Sequence, residues 1–498
     1  MFIVFSSIYK IKKLFLGMIV SGCCFLSGCT WLPGESTPKA RLLEANAVDT
    51  GHAVRNAKIE GSQWPTFDWW KVYQDPQLNR LVAEATYGNP TLRVARARVN
   101  RTRAQALGVE STLLPHLDAA AVLTREHFSK NHFYPESYTD GMYWNNRASL
   151  DLSYDLDLWG RQRAAFAGAL DALQVATAEK REVELDLQTA VVRAYVRLSL
   201  HHILGDIAQT TLQQRREILA ITEKRLAAGL ATEIERSQAE APVPSARAEV
   251  EKIQAALALL QNQLSLLTGQ GPGKGERIHR PTLALNLSAG IPSSLPADLV
   301  GRRPDVVARL WMVEAEAEGI KAAKAAFYPN INLAAFIGLQ SIGFGQFFSG
   351  DAQVYGLAPA FHLPLFDGGR LRSGLRAATS SYDMAVESYN ATLLQALEEI
   401  SNQLVLLRSL EKQRIEAQRA KSLADKAYGI ALRAYRAGLT DYLSVLNAQQ
   451  QTLVEATRTA RIEAEYLDAH VVLMQALGGG AQESGSLLTR ATPRESQP

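Results

Sequence analysis

The stretch Ala148-Ser149-Leu150-Asp151-Leu152-Ser153-Tyr154-Asp155-Leu156-Asp157-Leu158 alternates apolar with small or acidic residues without a break, then runs into Trp159-Gly160-Arg161. Period two predicts an extended strand with one apolar and one hydrophilic face. No proline follows between Arg163 and Gly229, so the strand is expected to feed a single very long helix. A half-buried soluble strand would alternate in the same way. A helix that reaches roughly 100 Å at ~1.5 Å per residue, however, suits no compact core. A strand of this length, apolar on one face and wet on the other, matches a bilayer-spanning barrel strand.

The same grammar is written a second time. Leu156-Asp157-Leu158-Trp159-Gly160-Arg161 corresponds to Leu363-Pro364-Leu365-Phe366, with Gly369-Arg370 after a short insertion. From there one constant spacing pairs Arg161 with Arg370, Gly229-Leu230 with Gly438-Leu439, and Gly269 with Gly478. Upstream, a slightly longer spacing pairs Pro90 with Pro304 and Pro115 with Pro329. Matches in one order imply an internal duplication of about 180 residues per copy.

Each copy opens with a proline-started helix, from about 90 to 114 and from about 304 to 328. Two strand-like segments follow, then the long helix, a Gly-Leu turn and a returning helix. In the second copy Ile331, Leu333, Ile337 and Leu339 share one parity, as do Tyr355, Leu357, Phe361, Leu363 and Leu365. Leu117 to His127 alternates only weakly. The intervening loops, 128–146 and 342–352, are rich in Tyr, Trp and Phe, which favour a membrane interface.

The returning helix of the second copy carries a 3-4 seam of Leu443, Leu446, Gln450, Leu453, Thr457, Ala460, Ala464, Leu467, Val471 and Met474. Ala417, Ala420, Ala424, Ala427, Ala431 and Ala434 repeat that spacing on the helix before it. These are coiled-coil heptads, and alanine in the seam permits close approach. Gly229 and Gly438 permit the positive φ that ends one helix, and Thr232 or Thr440 can cap the next. Ala241-Pro242-Val243-Pro244 lies within the returning helix of the first copy and should kink it.

Charge and cysteines set further bounds. The chain has 53 Lys and Arg against 50 Asp and Glu, and Lys10, Lys12 and Lys13 fall in the first 28 residues, so the remainder is neutral. It lacks the basic excess that a nucleic-acid binder needs. Those lysines precede an apolar run from Leu14 to Leu26, which reads as a secretory signal. It ends in Leu26-Ser27-Gly28-Cys29, which resembles the bacterial lipobox and makes Cys29 the expected lipidated residue. Val20-Ser21-Gly22-Cys23 is a rival site with a shorter apolar run. Cys23 and Cys24 are the only other thiols, so cleavage at Cys29 leaves no disulfide or thiolate metal site. No later window approaches the ~20 apolar residues of a membrane helix, so any crossing must use strands.

Four strands cannot close a membrane barrel, whereas three chains would supply twelve, an allowed even number. Taken with the lipobox, the duplication, the Trp-Gly-Arg and Phe-Asp-Gly-Gly-Arg strand exits and the two Gly-Leu turns, the sequence resembles the outer membrane factor family of TolC and OprM type, in its NodT-like lipoprotein branch. The resemblance implies a mainly α chain with a membrane β-barrel: a homotrimeric twelve-stranded barrel continued by a long α-helical barrel. It implies a cell outer membrane location with a periplasmic helical barrel. Its partners would be outer membrane lipid, a periplasmic adaptor protein and an inner-membrane transporter.

By the same resemblance the duct needs no catalytic residue, metal or cofactor. Gly229, Leu230, Gly438 and Leu439 are the expected adaptor-docking tips. The family often closes its periplasmic mouth with aspartates about nine residues after the second glycine. Asn447 stands there in this chain, so Asp441, Leu443 and Asn447 are the candidate gate positions, with Asp441 equally suited to capping a helix. The expected segments are a signal peptide (1–28), a lipid-anchored segment (29–88), a first repeat (89–270), a linker (271–303), a second repeat (304–480) and a tail (481–498).

An enzyme is disfavoured. No His, Cys and carboxylate cluster has metal spacing, and the glycines of Gly269 to Gly275 lack the Gly-Lys-Ser/Thr ending of a phosphate loop. The expected function is an exit duct for efflux of toxic small molecules such as antibiotics or aromatic acids. The alternatives are the channel of a type I protein secretion system or a periplasmic adaptor lipoprotein, although an adaptor would carry one hairpin rather than two.

Overall fold

The computed structural model describes residues 36–49, 51–55, 64–131, 135–285 and 299–480. Cys29, the signal segment and the tail from 481 lie outside the described residues. The chain divides into two compact units. The first holds residues 101–173 and 311–387 with the described residues up to Arg41; the second holds 42–100, 174–310 and the chain from Ser388.

Numbering helices of eight residues or more, the order is α1 (Pro76–Gly88), α2 (Pro90–Glu110), β1 (His116–His127), β2 (Met142–Leu156), α3 (Arg161–Ala227), α4 (Glu233–Glu240), α5 (Pro242–Leu267), α6 (Pro304–Ala325), β3 (Asn330–Ile342), β4 (Gln353–His362), α7 (Arg370–Arg436) and α8 (Tyr442–Ala476). The two long helices each have 67 residues. Strand, long helix, turn and returning helix thus occur twice, as the duplication predicts.

In the first unit the strands form one antiparallel sheet in the order β1-β2-β3-β4. Leu152 pairs with Leu117 and Ala335, and Leu150 with Ala119 and Ile337. Ile337 pairs in turn with Tyr355, so one apolar face crosses all four strands. On the other face Asp118 pairs with Asp151, while Asp155 accepts from Asn332 Nδ2 at 2.7 Å. This alternation is what fixes register, because a one-residue slip would exchange the two faces. Phe336 is an exception on the polar face. Its ring lies so close over Gly356 that a Cβ there would meet it at 2.6 Å, and Arg147 stands 5.3 Å from its centroid.

Several boundaries differ from expectation. β2 begins at Met142, so Tyr143 and Trp144 belong to the strand rather than the loop. It ends at Leu156 and β4 ends at His362, which leaves Leu158, Leu363 and Leu365 in the turns before the long helices. β1 spans 12 residues despite its weak alternation, because its pairing with β2 runs its full length. α2 stops at Glu110 and gives way to a 3-10 turn, Ser111–Leu113; α6 stops at Ala325.

The second unit is helical around a core that gathers Trp69, Trp70 and Tyr73, Leu78 of α1, Val191 and Tyr195 of α3, Leu404 of α7 and Leu473 of α8. Asp75 pins this core. It caps α1 through the amides of Gln77 and Leu78, and its other oxygen accepts from the Tyr195 hydroxyl and the Thr282 amide, both at 2.8 Å. Among the described residues no helix is long and apolar enough to cross a membrane.

Candidate functional site

The tip of each helical hairpin is built by the same backbone device. At the end of α3 the Leu230 amide donates to the Arg225 carbonyl at 2.8 Å and the Gly229 amide to that of Leu226 at 2.9 Å. At the end of α7 Leu439 donates to Ala434 at 2.9 Å and Gly438 to Tyr435 at 3.1 Å. These are Schellman closures, and both glycines take the positive φ they require, +70° and +73°. Leu230 and Leu439 are left 67% and 82% exposed. Ile234, 69% exposed, adds to the apolar surface of the first tip.

Thr232 caps α4 through a reciprocal capping box with Glu235. In the second copy the cap is Asp441 and not Thr440. Its carboxylate accepts from the Ser444 hydroxyl at 2.6 Å and amide at 2.9 Å, which hold it below the ordinary aspartate range. Asp441 therefore has a structural role within its own chain. Leu443 is 56% exposed and Asn447 is exposed, so both are open to a neighbour.

The coiled-coil seam is as expected at one end and displaced at the other. Ala460, Leu467, Val471 and Met474 are buried, but towards the tip burial moves to Tyr442, Val445 and Gln449, one residue before Leu443, Leu446 and Gln450. A straight helix drifts about 20° per heptad against a strict 3.5 repeat, so four heptads displace the buried face by nearly one residue. On α7 the same drift replaces Ala427 and Ala434 by Tyr428 and Tyr435.

Tyr435 and Tyr442 are the buried residues near the tips that the seam reading missed. With Ile218, Ala239 and Val445 they form a small core that joins the two hairpins. The Tyr435 hydroxyl lies 3.0 Å from Thr222 Oγ1, and its ring sits 4.8 Å beneath the Arg225 guanidinium. Arg225 also donates to the Tyr435 carbonyl at 3.0 Å and the Leu230 carbonyl at 3.3 Å, so one side chain fastens both tips. Arg436 pairs with Glu217 nearby. The sequence signal was there: two tyrosines a heptad apart, bracketing the Gly438 turn.

At the prolines the helix is interrupted between α4 and α5 at Ala241, which keeps helical backbone angles. Pro242 has no N–H for the Gln238 carbonyl, and the Tyr442 hydroxyl supplies a donor to it at 3.2 Å. Arg215 donates to the Pro242 carbonyl at 3.1 Å. Burial pushes the Tyr442 hydroxyl up from its usual range and the Arg215 guanidinium down. The proline break is thus braced from α8 and from α3. Among the described residues no group of His, Cys, Asp and Glu could hold a metal ion.

The chain as a whole is similar to known proteins. The family model described as outer membrane efflux protein matches residues 81–270 and 295–479. The fusaric acid resistance protein FusA of Burkholderia cepacia is 41% identical over 374 residues, covering 73% of this chain and 68% of the relative. The multidrug resistance outer membrane protein MdtP of Escherichia coli K12 is 29% identical over 489 residues, covering 95% of this chain and 98% of the relative. The crystal structure of the outer membrane protein VceC of Vibrio cholerae superposes with a TM-score of 0.78 at 34% identity, covering 84% of this chain and all of that one.

Proposed function

The chain belongs to the outer membrane efflux protein family, and we propose that it is the outer-membrane exit duct of an efflux system for toxic small molecules. The observation that carries this is the sheet. The described residues of each chain form four antiparallel strands with one continuous apolar face, which is too few to close a membrane barrel and enough for a third of a twelve-stranded one. Both outer strands, β1 and β4, offer unpaired edges to further copies. A homotrimer closes them all.

In this reading the hairpin tips meet a periplasmic adaptor, which links the duct to an inner-membrane transporter. The exposed Leu230, Ile234 and Leu439 supply the apolar surface for that contact, and Leu443 with Asn447 lines the mouth that opens. Cys29 carries the lipid, and the described chain from Ser36 to Leu43 follows α7. Ser36 Oγ meets Thr379, the Lys39 and Ala40 amides donate to Asp383, and the Leu43 amide donates to Asn390. The likeness to a fusaric acid resistance protein makes aromatic acids the first substrates to test.

Deleting the gene should sensitise the cell to fusaric acid or to other small toxicants, and reintroducing it should restore resistance. The purified chain should run as a trimer and conduct in planar bilayers. A monomer without conductance would end this reading. Mass spectrometry of the mature chain should find an acylated peptide that begins at Cys29.

A further inference from the structure

Where the strands pass into the long helices, the first unit holds a cavity of about 200 Å³ lined by Trp159, Tyr328, Arg161 and Arg370, among others. Arg161 and Arg370 are repeat equivalents, and each is the first residue of a 67-residue helix. That is the end at which the helix dipole disfavours a cation. The first turns of α3 and α7 contain no acid, and the dipole is met instead by the capping carboxylates Asp157 and Asp367 just before them. The backbone amides here are already satisfied by Asp157, which accepts from Gln162 and Arg163, and by Asp367, which accepts from Gly369 and Leu371. Those carboxylates are occupied, and Arg163 takes Asp157 as its ion pair. Among the described residues neither the Arg161 nor the Arg370 guanidinium makes a hydrogen bond, and Arg370 is drawn only electrostatically towards Asp367. Both side chains are exposed at equivalent positions of the duplication, so each guanidinium is open to a partner outside the chain.

The surroundings say what that partner is. Trp159 is fixed at the rim: its ring stacks on Tyr328 with centroids 4.7 Å apart, and Nε1 donates to the Pro329 carbonyl at 2.8 Å. Leu158 lines the same cavity, and Leu365 and Phe366, 71% and 86% exposed, belong to the equivalent strand exit of the second copy, whose Pro364 and Arg370 also line it. An exposed aromatic and aliphatic band directly below membrane strands, with arginines behind it, is the chemistry of a bilayer boundary. A free inorganic anion would have no use for the apolar rim. We propose that Arg161 and Arg370 hold the phosphodiester of a glycerophospholipid in the periplasmic leaflet of the outer membrane, with its acyl chains against Leu158, Trp159, Leu365 and Phe366. Guanidinium suits this role because it offers paired donors to phosphate oxygens at modest desolvation cost. The proposal rests on the membrane-barrel reading. It gives the junction of strand and helix a lipid contact built into the fold, separate from any anchor on Cys29.

The test is native mass spectrometry of the full-length trimer in mild detergent, titrated with phosphatidylglycerol and, separately, with inorganic phosphate. Wild type should retain phosphatidylglycerol through gentle activation. The double variant Arg161→Gln/Arg370→Gln should bind it roughly tenfold more weakly or worse. Arg161→Lys/Arg370→Lys should recover part of the loss. Arg458→Gln, an exposed arginine of the second unit, should behave as wild type. Millimolar phosphate should leave the lipid in place. Equal lipid retention by the glutamine variant, or displacement by inorganic phosphate, would overturn the site. Trimer formation and outer-membrane recovery are scored on the same samples, so a failed barrel is told apart from a lost lipid. Should the glutamine variant not assemble, the wild-type competition between phosphatidylglycerol and phosphate decides the matter alone.

Discussion

The Tyr442 hydroxyl donates to the Gln238 carbonyl at 3.2 Å, the oxygen that Pro242 leaves without its helical donor. A residue at the start of the last helix of the second repeat thus completes a helix broken by proline in the first. Tyr442→Phe keeps the ring in the small core with Tyr435 and Val445 and removes only this bond. The cost should be about 1 kcal/mol, with faster hydrogen exchange confined to residues near the α4–α5 break. If the break is part of the mouth, single-channel recordings should also show more frequent openings. Unchanged exchange at residues 237–246 would mean that Gln238 has another donor.

The sheet assignment is tested by two neighbours of opposite parity. Leu152 lies on the apolar face between Leu117 and Ala335, whereas Ser153 lies opposite, between His116 and Ala334. Leu152→Arg puts a charge towards lipid and should cost about 2 to 4 kcal/mol near the midplane, read as loss of outer-membrane trimer. Ser153→Arg should assemble and alter conductance. Equal tolerance at both positions would contradict the alternation.

Much of this was legible before any coordinates. Period two from Ala148 to Leu158 gave the strand, and the repeat of Gly229-Leu230 as Gly438-Leu439 located both tips. What escaped was cumulative or cooperative. The strict heptad from Leu443 to Met474 hides a drift of about 20° per heptad, which delivers Tyr442 rather than Leu443 to the seam. β1 alternates too weakly to declare itself and is fixed by its pairing with β2. The Asp75 network joins residues 120 and 207 positions apart, a separation no local pattern encodes.

Asp75 also gives a pH prediction. Burial raises the carboxyl, but hydrogen bonds from the Thr282 amide, the Tyr195 hydroxyl and the Leu78 and Gln77 amides outweigh it and bring the group below the ordinary aspartate range. A lowered folded value means that its stabilisation is complete above the unfolded value near 4 and is lost as pH falls through the folded one. Asp75→Asn should therefore cost about 3 kcal/mol at neutral pH, seen as a lower melting temperature in detergent. The gap to wild type should narrow below about pH 4. A gap independent of pH would show that shape, not charge, holds the Thr282 segment.

The tips carry the last prediction. Gly438 sits at φ +73° and its amide closes the turn onto Tyr435, so Gly438→Pro removes the donor and demands a φ near −65°. The turn must re-form, and Leu439 with it. The strands belong to the other compact unit, so trimer assembly and membrane insertion should survive while export is lost. Leu443→Asp acts differently, because Leu443 is exposed within its own chain and its loss costs that chain little. On the proposal that Leu443 lines the mouth, the three new carboxylates of a trimer would repel one another there. Conductance in planar bilayers should rise, and should fall back as the carboxylates are protonated at low pH. If Leu443→Asp leaves conductance unchanged and Gly438→Pro leaves export intact, these turns are plain connectors and the duct closes elsewhere.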